Sequence, residues 1–359
     1  MNSMYRLAGR IALLVGISVS LSGCILQRGS EAHEAAEWFG LREGEDFILV
    51  GGYGDSQVNI RSVGFGTVVS GSDEDYLLVS EEDLDRSGGF IGLGIPLGRK
   101  FYGFGSFESA EGDGRAYGSV GEGGTTDHGL TYGGLFNYSG GSSTGIFLGN
   151  SYGLRGEILT NNTWSATHLG IGSHMPIGEN AVFDGRVSLF FEDFNQDHDA
   201  RVDATLNGTP LGDLYQSTQV DLEDNYFGLN VQGQWTWRLP SLGGSYIRAG
   251  GFGQIAGRDG SGRFSQMTIC GLCGSMSPVA SVSQNFNYSE SNTTFNYGAR
   301  LSYGYSFSNN FGLELNYEKS WLGDVTFVET PANPNQQPVR FTTDEVERDF
   351  WRLGVRLRY

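Results

Sequence analysis

The chain has 359 residues, 57 of them glycine, with 13% aromatic and only 38% hydrophobic residues, a mixture that excludes a Leu- and Ala-rich helical bundle. Its 23 basic and 41 acidic residues give a formal charge of -18, which repels phosphate backbones and excludes nucleic acid as a partner. Length alone permits either two soluble domains or one large sheet closed on itself, and the residue pattern decides between them.

At the N-terminus Arg6 and Arg10 precede the apolar run Ile11 to Leu21, which is too short to span a bilayer as a helix and suits a signal-peptide core. Residues 1–23 are therefore expected to be an export signal. The tetrad Leu21, Ser22, Gly23, Cys24 resembles the lipobox of bacterial lipoproteins, and the resemblance implies cleavage before Cys24 and a lipid on its thiol. Ile25 follows, so no aspartate holds such a lipoprotein at the inner membrane. Removal of residues 1–23 takes away two arginines and no acid, leaving a charge of -20. Residues 24–56 are expected to form a tether, a plug entering a lumen, or a first strand; Glu31 to Trp38 suits a short helix and Phe47 to Tyr53 a strand. The pair Cys270 and Cys273, in Cys-Gly-Leu-Cys within an oxidising compartment, is expected to close a small loop disulfide.

Beyond the signal no run of 18 apolar residues occurs, which rules out a helical span but not a closed sheet, whose strands need about 9 to 11 residues. Alternation of that kind recurs along the chain. Val63, Phe65 and Thr67 alternate with glycines between Val58 and Val69, and Ile91, Leu93, Ile95 and Leu97 alternate with Gly92, Gly94 and Pro96. Phe183, Val187, Leu189 and Phe191 oppose Asp184, Arg186, Ser188 and Glu192; Phe227, Leu229, Val231, Trp235 and Trp237 oppose Gly228, Asn230, Gln232 and Gln234. Phe295 to Tyr303 and Phe311 to Tyr317 repeat the pattern. Short Gly-, Asn-, Pro- and Ser-rich turns are predicted at 98–100, 139–143, 175–180, 239–243 and 308–310. Longer polar segments between them, near 71–87, 111–127, 156–162, 194–221, 257–289 and 322–346, are expected to be outer loops. The reading is an all-β chain, a transmembrane antiparallel up-and-down β-barrel of about 12 strands over residues 57–359.

In the last strand Trp351, Leu353, Val355, Leu357 and Tyr359 share one face and Arg352, Gly354, Arg356 and Arg358 the other. A chain ending on an aromatic residue that closes an apolar face resembles the C-terminal strand of bacterial outer-membrane barrels, and by size the whole resembles small porins and the translocator domain of autotransporters. The resemblance implies residence in the outer membrane among lipid and lipopolysaccharide, with the insertion machinery engaging the strand that ends at Tyr359. Polar, glycine-rich inward positions favour a porin-like diffusion channel for ions or small solutes. The alternative is a non-conducting structural or surface-interaction barrel acting through acidic outer loops, which inward Phe190, Tyr226, Tyr246, Phe252 and Phe350 closing the bore would favour.

No catalytic assignment follows. His168 and His174 share a face of one strand but stand roughly 20 Å apart along it, and no H-E-x-x-H occurs. No cofactor is expected except calcium. Asp193, Asn195, Asp197, Asp199 and Asp203 put oxygen ligands at alternate positions, as a calcium loop does, although His198 and Ala204 stand where an EF-hand needs Gly and Glu. Antiparallel pairing of the last strands places Glu314 and Glu318 beside Arg352, Arg356 and Arg358, with Arg300 on the preceding strand, so a ladder of opposite charges is expected across the inner wall.

Overall fold

The computed structural model describes residues 48–70, 73–80, 83–97, 101–122, 127–131, 145–147, 152–177, 180–270, 280–308, 311–330 and 339–358. Its strands are β1 (Ile48–Asn59), β2 (Gly64–Ser70), β3 (Asp73–Val79), β4 (Asp83–Pro96), β5 (Phe101–Val120), β6 (Asp127–Thr131), β7 (Gly145–Phe147), β8 (Gly153–Pro176), β9 (Ala181–Leu206), β10 (Thr209–Arg238), β11 (Ser245–Cys270), β12 (Ala280–Ser306), β13 (Phe311–Glu329) and β14 (Arg340–Arg358). Ten of them close into an antiparallel ring in the order β1-β14-β13-β12-β11-β10-β9-β8-β5-β4, and the other four form a sheet ordered β3-β2-β6-β7. Among the described residues no helix is long and apolar enough to cross a membrane.

The ring has ten strands where the sequence suggested about twelve. The pair of strands expected around the turn at 139–143 is not in the ring: β6 and β7 belong to the small sheet, and the turn lies outside the described residues. The strand expected from Val58 to Val69 is broken. Its first residues end β1, while Phe65 to Val69 form β2 in the small sheet. The barrel wall begins at Ile48 rather than at residue 57, because β1 bonds along its whole length to both β14 and β4. Of the three readings open for that stretch, residues 48–56 take the strand.

Outward-facing apolar side chains form a band near the end with the short turns. Val187, Leu189, Leu229, Val231, Ile255, Leu301, Leu315 and Leu353 are all exposed on it. Aromatic pairs border it on both sides, as interfaces require. Phe183–Trp235 (ring centroids 4.9 Å apart) and Tyr305–Phe307 (4.8 Å) mark the turn side; Phe191–Phe227 (4.5 Å), Tyr297–Trp321 (5.0 Å) and Tyr317–Trp351 (4.7 Å) mark the other. A closed antiparallel ring with such a band is a transmembrane barrel of the outer membrane, with its short turns on the periplasmic side.

Beyond the second girdle the strands continue, and the alternation inverts. On β9 the outward positions become Asp193, Asn195, Asp197 and Asp199, while Phe194, Ala200, Val202 and Ala204 turn inward and are buried. The same strand is therefore apolar outside in lipid and apolar inside in water. Most of the segments expected to be outer loops, including 194–206, 209–221 and 257–270, are this strand extension, which projects on the order of 30 Å above the membrane at ordinary strand rise and tilt. β9 returns to β10 through Asn207 and Gly208, whose φ values of 52° and 72° are those of a two-residue type I′ hairpin.

Candidate functional site

Two apolar layers cross the interior. The lower one draws on every ring strand except β12: Val58, Leu84, Ala110, Trp164, Phe190, Phe194, Tyr226, Ala256, Leu322, Val346 and Phe350 are buried in one cluster. Trp164 packs on Phe350 with ring centroids 5.1 Å apart. The upper layer joins Val63 and Phe65, from the β1–β4 connection, and Leu78 of β3 to Leu154, Ile158, Val202, Leu214, Leu222, Phe264 and Val328 of the wall. The connection between β1 and β4 is thus folded into the outer mouth, where Thr330 Oγ1 donates to the Gly64 carbonyl at 2.6 Å and Ser80 Oγ accepts from Val63 N–H at 2.7 Å.

β13 contributes to the closure by parting from β12 while it stays paired with β14. It pairs with β12 only as far as Trp321, and a bulge with Asp324 at φ 56° then turns Val325 to Val328 inward. Asp224 of β10 holds this segment in place: its carboxylate accepts from Thr326 N–H (2.7 Å), from Thr326 Oγ1 (2.7 Å) and from Arg258 Nε and Nη2 (2.9 and 2.6 Å). Of the five aromatics expected to close the bore, Phe190, Tyr226, Tyr246 and Phe350 are buried inside it and Phe252 is half-buried.

Beneath the lower layer, toward the periplasmic turns, lies a cavity of about 280 Å³. Arg186, Arg248, Arg300, Arg348, Arg352 and Arg356 line it together with Glu108, Glu314 and Glu318. Glu318 accepts from Arg300 Nε at 2.8 Å and from Arg352 Nη1 at 3.0 Å. Arg300 stands directly opposite Glu318 in the β12–β13 register, whereas Arg352 faces Asn316 and reaches Glu318 diagonally. Arg352 also ion-pairs with Glu108 of β5, crossing the inner faces of β1 and β4. It can do so because Gly54 has no side chain: a Cβ there would stand 2.9 Å from Arg352 Cγ. Glu314 reaches across β12 for its hydrogen bonds. It accepts from Arg248 Nη1 (2.7 Å) and Tyr246 Oη (2.6 Å) on β11. Arg356 Nη2 donates to Ser306 Oγ at 2.7 Å. Arg358 pairs through its backbone with Ile48, and its side chain lies outside the described residues.

The sequence did not identify Arg186, Arg248, Arg348, Glu108 or Glu192 as members of this network. Arg186 donates to Asp184 Oδ2 (3.0 Å) and Tyr102 Oη (2.7 Å), and Arg348 ion-pairs with Glu192. Each stands at an inward position of a recognisable strand, so parity was an available signal; their mutual contacts depend on ring closure. His168 and His174 both face inward on β8, and His174 stacks on Tyr102 with centroids 4.4 Å apart.

The expected calcium loop is corrected. Asp193, Asn195, Asp197, Asp199 and Asp203 lie in the continuous strand β9, and residues two apart on an extended strand cannot wrap a cation. Among the described residues no group of three or more His, Cys, Asp or Glu is placed to hold a metal. Partial burial, with Asp221, Asp199 and Glu223 nearby, pushes the Asp197 carboxyl above its ordinary value. Cys24, Cys273 and Tyr359 lie outside the described residues, as does the Cys270 side chain at the end of β11. So does most of Gly141 to Gly145, a run with the G-x-S-x-G spacing of hydrolase nucleophile turns.

No family model matches the chain, and no curated protein does. Among solved structures it is similar to the outer membrane protease OmpT of Escherichia coli (9% identity, 88% of this chain and 97% of that one, TM-score 0.38). It is also similar to Ail, the attachment invasion locus protein of Yersinia pestis (11%, 88% and 99%, 0.23), and to the translocator domain of the autotransporter NalP of Neisseria meningitidis (9%, 91% and 93%, 0.24). These neighbours are outer-membrane barrels of differing function. The assignment of this chain to the outer membrane rests on its own closed ring, apolar band and paired girdles.

Proposed function

We propose that this protein is a sealed outer-membrane barrel, the non-conducting alternative that the sequence left open, and that it acts at its ends rather than by passing solutes. The observation that carries the reading is the pair of stacked apolar layers, one built from nearly every wall strand and one from the infolded β1–β4 connection. A diffusion pore needs a continuous polar path. Here the polar chamber lies beneath the lower layer, and a water file leaving it would have to pass Phe190, Tyr226 and Phe350. The tall outer wall presents the acids of β9 and β10, a surface suited to meeting cation-bridged lipopolysaccharide or a basic partner.

Reconstituted in planar bilayers, the purified protein should give no stable unitary conductance, while heat-modifiable gel mobility shows the barrel folded. Stable single-channel steps from the wild type would refute the sealed reading. We further propose that Cys24 carries the acyl anchor implied by its lipobox; labelled palmitate should enter the wild type and be lost in Cys24→Ala, and equal labelling of both would remove the anchor.

A further inference from the structure

We infer that the periplasmic chamber of the lumen is a binding site for an amphipathic anion: one carboxylate, sulfonate or phosphate group on a compact aliphatic or aromatic body. The inference rests on the sealed reading only in that the apolar layer makes the chamber blind. Its wall is divided chemically. On the β1–β4–β5 side it is built of Ile48, Val50, Phe90 and Phe104, with Gly92 and Gly94 between them. The guanidinium and carboxylate groups described above come from β11 to β14 and from Arg186 of β9, with Glu108 of β5 standing above the apolar patch.

The two glycines leave room. A Cβ at Gly94 would meet nothing nearer than 4.0 Å, and one at Gly92 nothing nearer than 3.6 Å, unlike Gly52 and Gly54, where a Cβ would stand 2.2 Å from the backbone of β14. Gly52 and Gly54 are thus required by close strand approach, whereas Gly92 and Gly94 border open volume. An apolar recess of this kind takes the body of a ligand.

The charged side favours an anion. Six arginines face three glutamates across the cavity, and adding Asp184 and Glu192, which pair with Arg186 and Arg348, still leaves six cations against five carboxylates. Two of the arginines are placed to use that excess. Arg300 commits Nε and Nη2 to a carboxylate it shares with Arg352, and Arg186 commits Nε and Nη2 to Asp184 and Tyr102. Their side chains stay 30% and 25% exposed although both point into the bore and line the cavity, so part of each is open to the chamber. A guanidinium in a chamber walled by protein holds a carboxylate or sulfonate far better than one in open water. Ile48, Gly94, Tyr102, His174 and Arg356 lie at or near strand ends on the short-turn side and also line the cavity, so the ligand enters from the periplasm.

The test is titration calorimetry on the full mature protein in nanodiscs, with empty nanodiscs as the blank and 4-phenylbutyrate as the probe. We expect saturable one-to-one binding, weaker by about tenfold or more for the neutral analogue 4-phenyl-1-butanol and for inorganic phosphate, and weaker by about tenfold in Arg300→Gln. Gly94→Leu, which fills the recess without a backbone clash, should abolish binding while leaving heat-modifiable mobility unchanged. No heat beyond the blank, equal binding of the alcohol or of phosphate, or undiminished binding by a folded Gly94→Leu would each overturn the inference. A wild type that conducts yet binds phenylbutyrate in the Gly94-dependent manner would refute the seal and leave the site standing.

Discussion

Asp224→Ala should be among the most destabilising single substitutions in this chain, by about 3–5 kcal/mol in urea unfolding followed by tryptophan fluorescence in lipid vesicles. The carboxylate and the Arg258 side chain are both 0% exposed, so removing the acid leaves an arginine charge buried without its counter-ion. It also takes the acceptor from Thr326 N–H and Oγ1, the two bonds that hold the inward-turned end of β13 to β10. Two readouts separate these losses. Asp224→Ala combined with Arg258→Met should recover most of the stability, since a buried pair replaced by apolar groups is often nearly neutral. The β13 segment should stay loosened in both variants and speed tryptic cleavage after exposed Arg340. A cost below about 1 kcal/mol for the single variant would show that solvent reaches the pair and that the outer mouth is open.

Arg352→Met should cost about 3 kcal/mol, at the low end of the range for breaking a buried pair because Glu108 keeps 23% of its side-chain surface exposed to the chamber. Glu318 retains Arg300, so the loss falls on Glu108, three strands away around the ring. Gly54→Ala should produce a comparable defect, about 1–3 kcal/mol, without changing any charge, because its Cβ would stand 2.2 Å from the Trp351 carbonyl and press on the arginine stem. Equality of Gly54→Ala with wild type in the same unfolding assay would mean that β1 and β14 are further apart than the register places them. The ladder expected from the sequence, running from Arg300 through the glutamates to the terminal arginines, does not single out Gly54 or Glu108.

The sequence by itself determined the wall within the membrane. Period-two alternation with apolar residues outward, as at Val187, Leu189 and Phe191, is a local demand of lipid on one face of a strand, and the breaks between β4 and β5, β8 and β9, β10 and β11, and β12 and β13 could be placed from residue type. Parity alone also assigned Phe190, Tyr226 and Phe350 to the inside. The extramembrane wall was harder to see because its alternation runs the other way: past Glu192 water replaces lipid outside, so the same strand must carry Asp193 and Asp197 outward and Ala200 and Val202 inward. Read as composition, that is an acidic loop; read as inverted parity, with Asn207-Gly208 as the hairpin signal, it is a strand.

Tertiary structure decided what fills the bore and which charges meet. Whether Phe65 belongs to a wall strand or to the infolded sheet depends on how ten strands close, since only closure brings Leu154, Leu222 and Val328 close enough to bury it. Arg352 meets Glu108 for the same reason: ring closure sets β14, β1, β4 and β5 side by side, and an inward glycine lets a long side chain pass between residues separated by most of the sequence. Alternation fixes the face on which a residue stands, a property of the strand alone; the partner across the lumen is a property of strand number and register, which exist only once the sheet has closed.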